Sequence, residues 1–253
     1  MPPTRTPARI GCAGWSIPRA HAHNFPRGAS VLERYAQVFD AVEINATFCR
    51  TPRMPTFQRW ADSVPDGFRF SLKLPRTLTH YARLQADESH LDAFLANAAP
   101  LGGKLGAVLA QLPPSLAFEA KVVERFFATL RARVGSQVVV ACEPRHASWG
   151  QDIVGSLLTQ LGVTRVAADP PRFVDDALPA GTEPAYWRWH GSPRIYYDRY
   201  GEGALARLAK ALRRTPGSWA VFDNTASGHA TGDALRLHAL LGLEPPVSGK
   251  AVA

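Results

Sequence analysis

Residues 138–161 read VVVACEPRHASWGQDIVGSLLTQL. The segment opens as a short apolar run, Val138 to Cys142, and breaks at Glu143-Pro144. A run this short, closed by a proline, reads as a strand buried on both faces, the kind a parallel sheet uses. Ser148 and Gln151 then make an S-x-x-Q capping box ahead of Ile153, Val154, Leu157, Leu158 and Leu161 at helical spacing. Strand, polar turn and helix follow one another as a single β/α unit.

The same unit recurs on either side. Strand candidates fall at residues 9–12, 41–45, 69–74, 106–112, 138–143, 164–169, 185–190 and 219–223, their starts 21 to 37 residues apart. A strand, a helix and two loops need about 30 residues. Eight such units in 253 residues predict an α/β fold, a (β/α)8 TIM-like barrel, as a single domain over 1–253 with its core at about 9–241. No sequence repeat accompanies the period, so the regularity is architectural.

The intervening helices are marked by capping boxes at Ser30–Glu33 and Ser89–Asp92, and by apolar stripes. The stripes are Val31, Leu32, Tyr35, Val38 and Phe39; Val122, Val123, Phe126, Phe127 and Leu130; Leu205, Leu208, Ala209 and Leu212; and Leu235, Leu237, Leu240 and Leu241. One crossover differs. Between Asp169 and Ala185 the chain reads PPRFVDDALPAGTEP, and four prolines leave little room for a helix. The sixth crossover helix is therefore expected to be reduced or missing, and the barrel distorted there. A doubly wound sheet would open a helix straight after its first glycine-rich turn. Here Gly11–Gly14 leads instead into Trp15, Pro18 and a polar loop at 19–28.

Composition excludes several classes. A hydrophobic fraction of 46% with 20% charged residues is globular, not disordered. The apolar runs fall far short of the ~20 residues a membrane helix needs. Residues 1–10 lack an apolar signal core, and Cys12, Cys49 and Cys142 form no C-x-x-C pair. A cytoplasmic protein without disulfides and without a membrane partner is the expectation. The net charge is +8, but 24 of the 29 cations are Arg, dispersed with no run longer than Arg213-Arg214. Dispersed charge favours solubility over a phosphate-binding stripe.

In a parallel barrel the reactive face is the C-terminal end of the strands. There the sequence places Glu43 and Asn45, Lys73, Gln111, Glu143 and Arg145, Asp169, Arg188 and His190, and Asp223 with Asn224. Residues two apart share a face, so Glu43 with Asn45, Glu143 with Arg145, and Arg188 with His190 point inward together. A purely structural barrel would carry Val, Ile and Leu at those layers. Glu–Arg pairs that merely satisfy each other are the competing explanation. Lys73 reads as a Schiff-base lysine or, more commonly for such a residue, an ion-pair partner or anion clamp.

The motifs GCAGWS (11–16), VEINATF (42–48), LKLPRTLTH (72–80), LGAVLAQLPPS (105–115), EPRHASW (143–149), RWHG (188–191) and FDNTASGHA (222–230) resemble, in order, those of the YecE-like proteins (domain of unknown function 72). That bacterial and archaeal family has a TIM-barrel fold and no settled activity. The resemblance implies the fold and leaves the reaction open. The chain departs from the family pattern at Ile17 and Cys49, where aromatics are usual, and at Asp223 and Asp233, where Asn is usual.

The expected chemistry is that of an enzyme using general acid–base catalysis on a small anionic or sugar-like substrate at the barrel mouth. Glu43, Glu143 and Asp169 are the candidate acids and bases, with His190 or His146 as proton partner. Lys73, Arg76, Arg145 and Arg188 form the clamp; Asn45, His80, Gln111, Asp223, Asn224, Trp15 and Trp149 complete the substrate-binding set. A phosphate at the N-terminus of the last helix, after Asn224–Gly228, competes with an ordinary cap. Glu143, His146, Asp169 and His190 are also metal-ligand types, but the spacing is not diagnostic and the neighbouring arginines disfavour a cation. No metal ligand and no cofactor is assigned. The alternatives are a nucleic-acid binding or processing protein in the manner of barrel endonucleases, with Tyr196, Tyr197 and Tyr200 as stacking platforms, and a non-catalytic ligand-binding barrel.

Overall fold

The computed structural model describes residues 7–172, 180–181 and 183–243. Strands and helices alternate: β1 (Arg9–Cys12), α1 (Val31–Ala36), β2 (Ala41–Ile44), α2 (Met54–Asp62), β3 (Arg69–Lys73), α3 (Glu88–Ala98), β4 (Leu105–Gln111), α4 (Ala120–Val134), β5 (Val139–Glu143) and α5 (Asp152–Gln160). β6 (Val163–Arg165), β7 (Ala167–Asp169), β8 (Ala180–Gly181), β9 (Tyr186–Trp189), α6 (Glu202–Leu212), β10 (Trp219–Phe222) and α7 (His229–Leu241) follow.

The strands form two sheets, ordered β1-β10-β9-β7 and β2-β3-β4-β5-β6-β8, parallel throughout except for the short β8 against β6. This is a TIM-like barrel with a distorted wall. One seam lies between β1 and β2, joined by a single Ala13–Glu43 bridge and by Gly14 N–H on the Glu43 carbonyl (2.8 Å). The other lies at Val166, where the sixth strand breaks: β6 pairs with β5, and β7 with β9. The sixth crossover shows no helix at residues 170–172, 180–181 or 183–185; the rest of that proline-rich stretch lies outside the described residues.

Alternation along the strands builds two cores. Ile10, Cys12, Val42, Ile44, Phe70, Leu72, Val108, Val140, Cys142, Trp187 and Phe222 point outward against the helices. Ala41, Ala107, Leu109, Ala141, Val166, Tyr186, Trp219 and Val221 fill the barrel. Small residues are needed inside because Tyr186 and Trp219 stack there, their ring centroids 5.9 Å apart. Burying such large rings is worth several kcal/mol of transfer free energy. Gly11 has a separate reason: a Cβ on it would stand 2.1 Å from the Ala41 carbonyl oxygen, so the β1–β2 seam closes only around glycine.

Helix starts agree with the sequence in part. Ser30 Oγ accepts from Glu33 N–H (3.1 Å), while Glu33 reaches past it to Ala29 N–H (2.7 Å). The Ser89–Asp92 box is corrected: Asp87 is the cap, accepting from Ser89 N–H (2.9 Å), because the helix begins two residues earlier. Ser148 is corrected too. It belongs to a 3-10 turn, Ala147–Gly150, capped by His146, and its hydroxyl accepts from Phe118 N–H (2.8 Å). The α4 and α6 stripes are buried as read. In α7 the buried face is Ala230, Thr231, Asp233, Ala234 and Leu237; Leu235, Leu240 and Leu241 are half-buried, because the helix packs through its small residues. Among the described residues no helix is long and apolar enough to cross a membrane.

Candidate functional site

The inward parity that buries Tyr186 also places Arg188 and His190 above it, each two residues further along the strand. Likewise Ser71 precedes Lys73, and Ala141 precedes Glu143. The apolar filling therefore ends in an ionic layer at the C-terminal mouth. Its hub is Arg188, fully buried. Its Nη2 donates to Glu43 Oε1 (2.8 Å) and lies 3.0 Å from Asp223 Oδ2; Nη1 donates to Glu143 Oε2 (3.1 Å), and Nε to Glu43 Oε2 (3.0 Å). The Tyr186 hydroxyl adds a donor to Glu43 (3.1 Å), leaving Ser71 to donate to that hydroxyl (2.9 Å).

His190 stands between two carboxylates, Nε2 3.0 Å from Glu143 Oε1 and Nδ1 3.0 Å from Asp223 Oδ2. Each ionised oxygen can only accept, so both ring nitrogens carry protons and the imidazole is a cation. Burial pushes its pKa down, but Glu143 and Asp223 outweigh that and raise it. Glu143 also accepts from Gln111 Nε2 (2.9 Å) and Arg145 Nη2 (2.9 Å). Burial lifts this carboxyl, yet Arg188, His190 and Arg145 together hold it well below the usual range. Asp223 is depressed similarly by Arg188 and His190 against the effect of burial. Three carboxylates (Glu43, Glu143, Asp223) thus meet three cations (Arg188, His190, Arg145).

Lys73 is the charge left over. It is 5% exposed, and its Nζ has no hydrogen bond or ion pair among the described residues; it sits 4.3 Å from the centroid of the Phe48 ring. Phe48 is held there by a 3-10 turn, Ala46–Phe48, tied down by Thr47 Oγ1 on the carbonyls of Ile44 (2.7 Å) and Lys73 (2.6 Å). Burial first, and Arg188 next, bring the Lys73 pKa down to about 8 despite the ring carboxylates. His80 follows on a π-helical turn, Thr77–Tyr81, its ring edge-on to Phe48 at 4.9 Å. Its Nδ1 is engaged by Thr79 Oγ1 (2.9 Å). Burial, then Lys73 and Arg145, lower its pKa, so it is neutral at pH 7. Lys73, His80 and Arg145 therefore form a basic edge on a balanced ring.

The structure brings together Glu43, Lys73, Gln111, Glu143, Arg145, Arg188, His190 and Asp223, with His80 beside Lys73. Asn45 is half-buried at the end of β2, its amide unpartnered among the described residues. Other expected members stand elsewhere. Trp149 has no exposed surface; its Nε1 donates to the Leu116 carbonyl (3.0 Å), so it is a core residue. His146 caps the 147–150 turn, its Nδ1 on Ser148 (3.2 Å to the N–H). Arg76 is exposed, 5.4 Å from the Tyr81 ring. Asp169 Oδ1 accepts from the Tyr200 hydroxyl (2.9 Å) and not from the ring. Asn224 lies behind the ring, its Nδ2 on Asp233 (2.7 Å) and the Asp198 carbonyl (3.0 Å). Trp15 is half-buried against Trp60, centroids 5.0 Å apart.

Two further residues touch the ionic layer. Tyr186 lies beneath it in the barrel filling, and a single hydroxyl on an aromatic ring gives little sign of that contact in the sequence. Tyr196, a candidate stacking platform by sequence, stands edge-on to His190 at 5.8 Å, its side chain hydrogen-bonds Arg145, and its φ is +70°. A tyrosine in left-handed backbone is uncommon outside constrained sites. Among the described residues no cluster of three or more His, Cys, Asp or Glu has a metal-holding arrangement. A groove of about 960 Å³ lies beside the mouth, lined by His21, Asp198, Arg199, His229, Asp233 and Arg236 among others, and none of the ring residues borders it.

A parallel α/β barrel whose filling ends in a buried ionic ring with a basic edge is the class of protein that this fold and site define. Within that class the chain belongs to the family described as "Protein of unknown function DUF72", whose profile matches residues 9–251. It is similar to the UPF0759 protein YecE of Escherichia coli (strain K12), 31% identical over 163 residues that span 63% of this chain and 58% of that protein's length. Among solved structures it resembles a DUF72 family protein from Enterococcus faecalis V583 (21% identity, TM-score 0.77, covering 97% of this chain and 100% of that one). A DUF72 family protein from Thermotoga maritima is comparable (24% identity, TM-score 0.74, 93% and 99% covered). At these identities the structural likeness concerns the fold. The family resemblance read from the motifs is thereby established.

Proposed function

We propose that the mouth binds a small anionic substrate along Lys73, His80 and Arg145, and that the chain is an enzyme acting on it by general acid–base catalysis. One observation carries this reading: the ring balances its own charges, and the buried Lys73 ammonium is surplus. A buried cation without a partner is costly, and an anionic guest supplies the partner. The roles shift from those expected. Glu143 Oε1 accepts from Gln111, Arg145 and His190 and its Oε2 from Arg188, and these donors hold the carboxyl well below the usual range, so it serves to fix donors and not to take a proton. The open proton site is His80, neutral at pH 7 and with Nε2 unpartnered among the described residues. Asn45 and Gln111 supply amides for a hydroxyl or carbonyl of the substrate. The ring beneath acts as a preorganised electrostatic floor.

The test is a thermal-shift titration with orthophosphate, sulfate and small carboxylates. A ligand at 100 times its Kd stabilises by about 2.7 kcal/mol, a Tm rise of about 5–10 °C for a chain of this size. Lys73→Met is expected to abolish the shift. No shift with any anion, or the same shift in Lys73→Met, overturns the reading.

A second reading rests on Tyr196 and Tyr197, 38% and 44% exposed, with the Arg194 guanidinium 4.1 Å from the Tyr197 ring. Such a face suits stacking of single-stranded nucleic acid. It predicts oligonucleotide binding that collapses between 50 and 200 mM salt, whereas the small-anion site changes modestly.

A further inference from the structure

Lys73 differs from every other described lysine. Lys104 Nζ donates to the carbonyls of Ala61 (2.7 Å) and Val64 (2.7 Å) and lies 3.5 Å from Asp66. Lys121 and Lys210 are exposed on helices. Lys73 alone projects into the barrel mouth from a strand end, shielded from solvent, with no acceptor on its ammonium and an aromatic face beneath it. An ordinary clamp lysine would have its carboxylate; here Glu43, Glu143 and Asp223 are all occupied by Arg188, Arg145 and His190. What a strand-end lysine gains from being kept dry and unpaired is a usable lone pair.

We infer that Lys73 is a covalent nucleophile toward small aldehydes or ketones that also carry a carboxylate or phosphate, forming a protonated imine with the carbonyl carbon while Arg145 and His80 flank the anionic group. This deepens the anion-binding reading and rests on it. In the step, the Nζ lone pair forms the C–N bond as the carbonyl π pair moves to oxygen. An amine proton passes to that oxygen, and with one further proton it leaves as water, its C–O bond broken. No oxidant or reductant is required. Burial is the first influence on the protonation of Nζ; Arg188 next opposes the charge, and the ring carboxylates Glu43, Asp223 and Glu143 favour it, while the Arg145 guanidinium and the His80 imidazole face the same edge. Their balance leaves a share of the amine neutral at pH 7, with a midpoint of about 8.

The experiment is reductive trapping of the full chain with sodium borohydride and glyoxylate, pyruvate or dihydroxyacetone phosphate, followed by peptide mass mapping. Five lysines make the map simple. Lys73 is expected to gain the mass of the probe acid less one oxygen atom, at least tenfold above Lys121 and Lys210, rising through pH 8 and suppressed by orthophosphate. Lys73→Arg, its fold checked by circular dichroism, is expected to lose the adduct, since a guanidinium offers no lone pair to a carbonyl carbon. No preferential labelling of Lys73 by any probe overturns the proposal, and with orthophosphate still bound it does so while the anion site stands. Labelling at Lys73 that orthophosphate cannot suppress, with no anion-induced thermal shift, would support the nucleophile and overturn the anion site.

Discussion

Arg188 touches three carboxylates, two on strands β2 and β5 and one just past β10, while exposing none of its own surface. Its guanidinium fork supplies donors in several directions at once, which an ammonium cannot do. Replacing it by Met leaves Glu43, Glu143 and Asp223 facing one another around His190. The expected loss is about 3–5 kcal/mol at pH 7, the usual cost of stripping one partner from a buried ionic cluster. Removing Arg188, which helps hold Glu143 and Asp223 low, would raise their pKa values in the folded variant. The penalty is then full at neutral pH and shrinks as protons bind on acidification. Urea unfolding of Arg188→Met at pH 7 and pH 5 checks both parts; wild-type stability at pH 7 would show that the ring does not depend on this residue.

At the scale of elements, the two seams of the wall set where the mouth opens. The β1–β2 seam is held by close backbone approach at Gly11, and the broken sixth strand turns at Val166 from one neighbour to the other. A Cβ at Gly11 cannot be accommodated by a rotamer change, because the obstacle is the Ala41 carbonyl. Gly11→Ala is expected to cost at least about 1–3 kcal/mol, the range for overpacking a filled core. It should also shift Glu43, whose backbone carries the seam's bridge, so anion binding should weaken with stability. A Gly11→Ala variant with an unchanged urea midpoint would mean the seam can part freely. The same scale shows where sequence reading succeeds. The Ser30 cap and the α4 and α6 stripes are local patterns and were legible; the Ser148 and Ser89 boxes failed because neighbouring His146 and Asp87 cap those turns first.

At the scale of the whole molecule, the ring makes stability depend on pH in opposing ways. Glu143 and Asp223 have folded pKa values below their unfolded ones of about 4.3 and 3.9, so their contribution is present above those values and lost as pH falls through the folded ones. His190 is raised above an unfolded value of about 6.5, so its contribution is full below that pH and lost as pH rises through the folded value. Lys73 runs the other way: from about 8 toward about 10.4 the unfolded chain holds more proton than the folded one, so stability climbs. The urea midpoint is expected to fall steeply between pH 5 and pH 3, and Glu143→Gln to flatten that fall. Identical slopes in the two proteins would remove Glu143 from the account.

Much of this architecture is written in the chain itself. Strand spacing, inward parity and the polar strand ends of Glu43, Glu143, Arg188 and His190 are period-two and period-thirty features, and local sterics enforce them wherever the chain folds. Pairing is another matter. That Arg188 takes Glu43, 145 positions away in the chain and 2.8 Å away in space, that Asp223 completes the shell of His190, that Trp149 is sealed in the core and that the buried Lys73 ammonium has no carboxylate among the described residues are outcomes of the sheet curving round. Coulomb interactions depend on distance in space, so which charge of the buried mouth remains unmatched was decided only when the sheet curved round and the ring charges had found their partners.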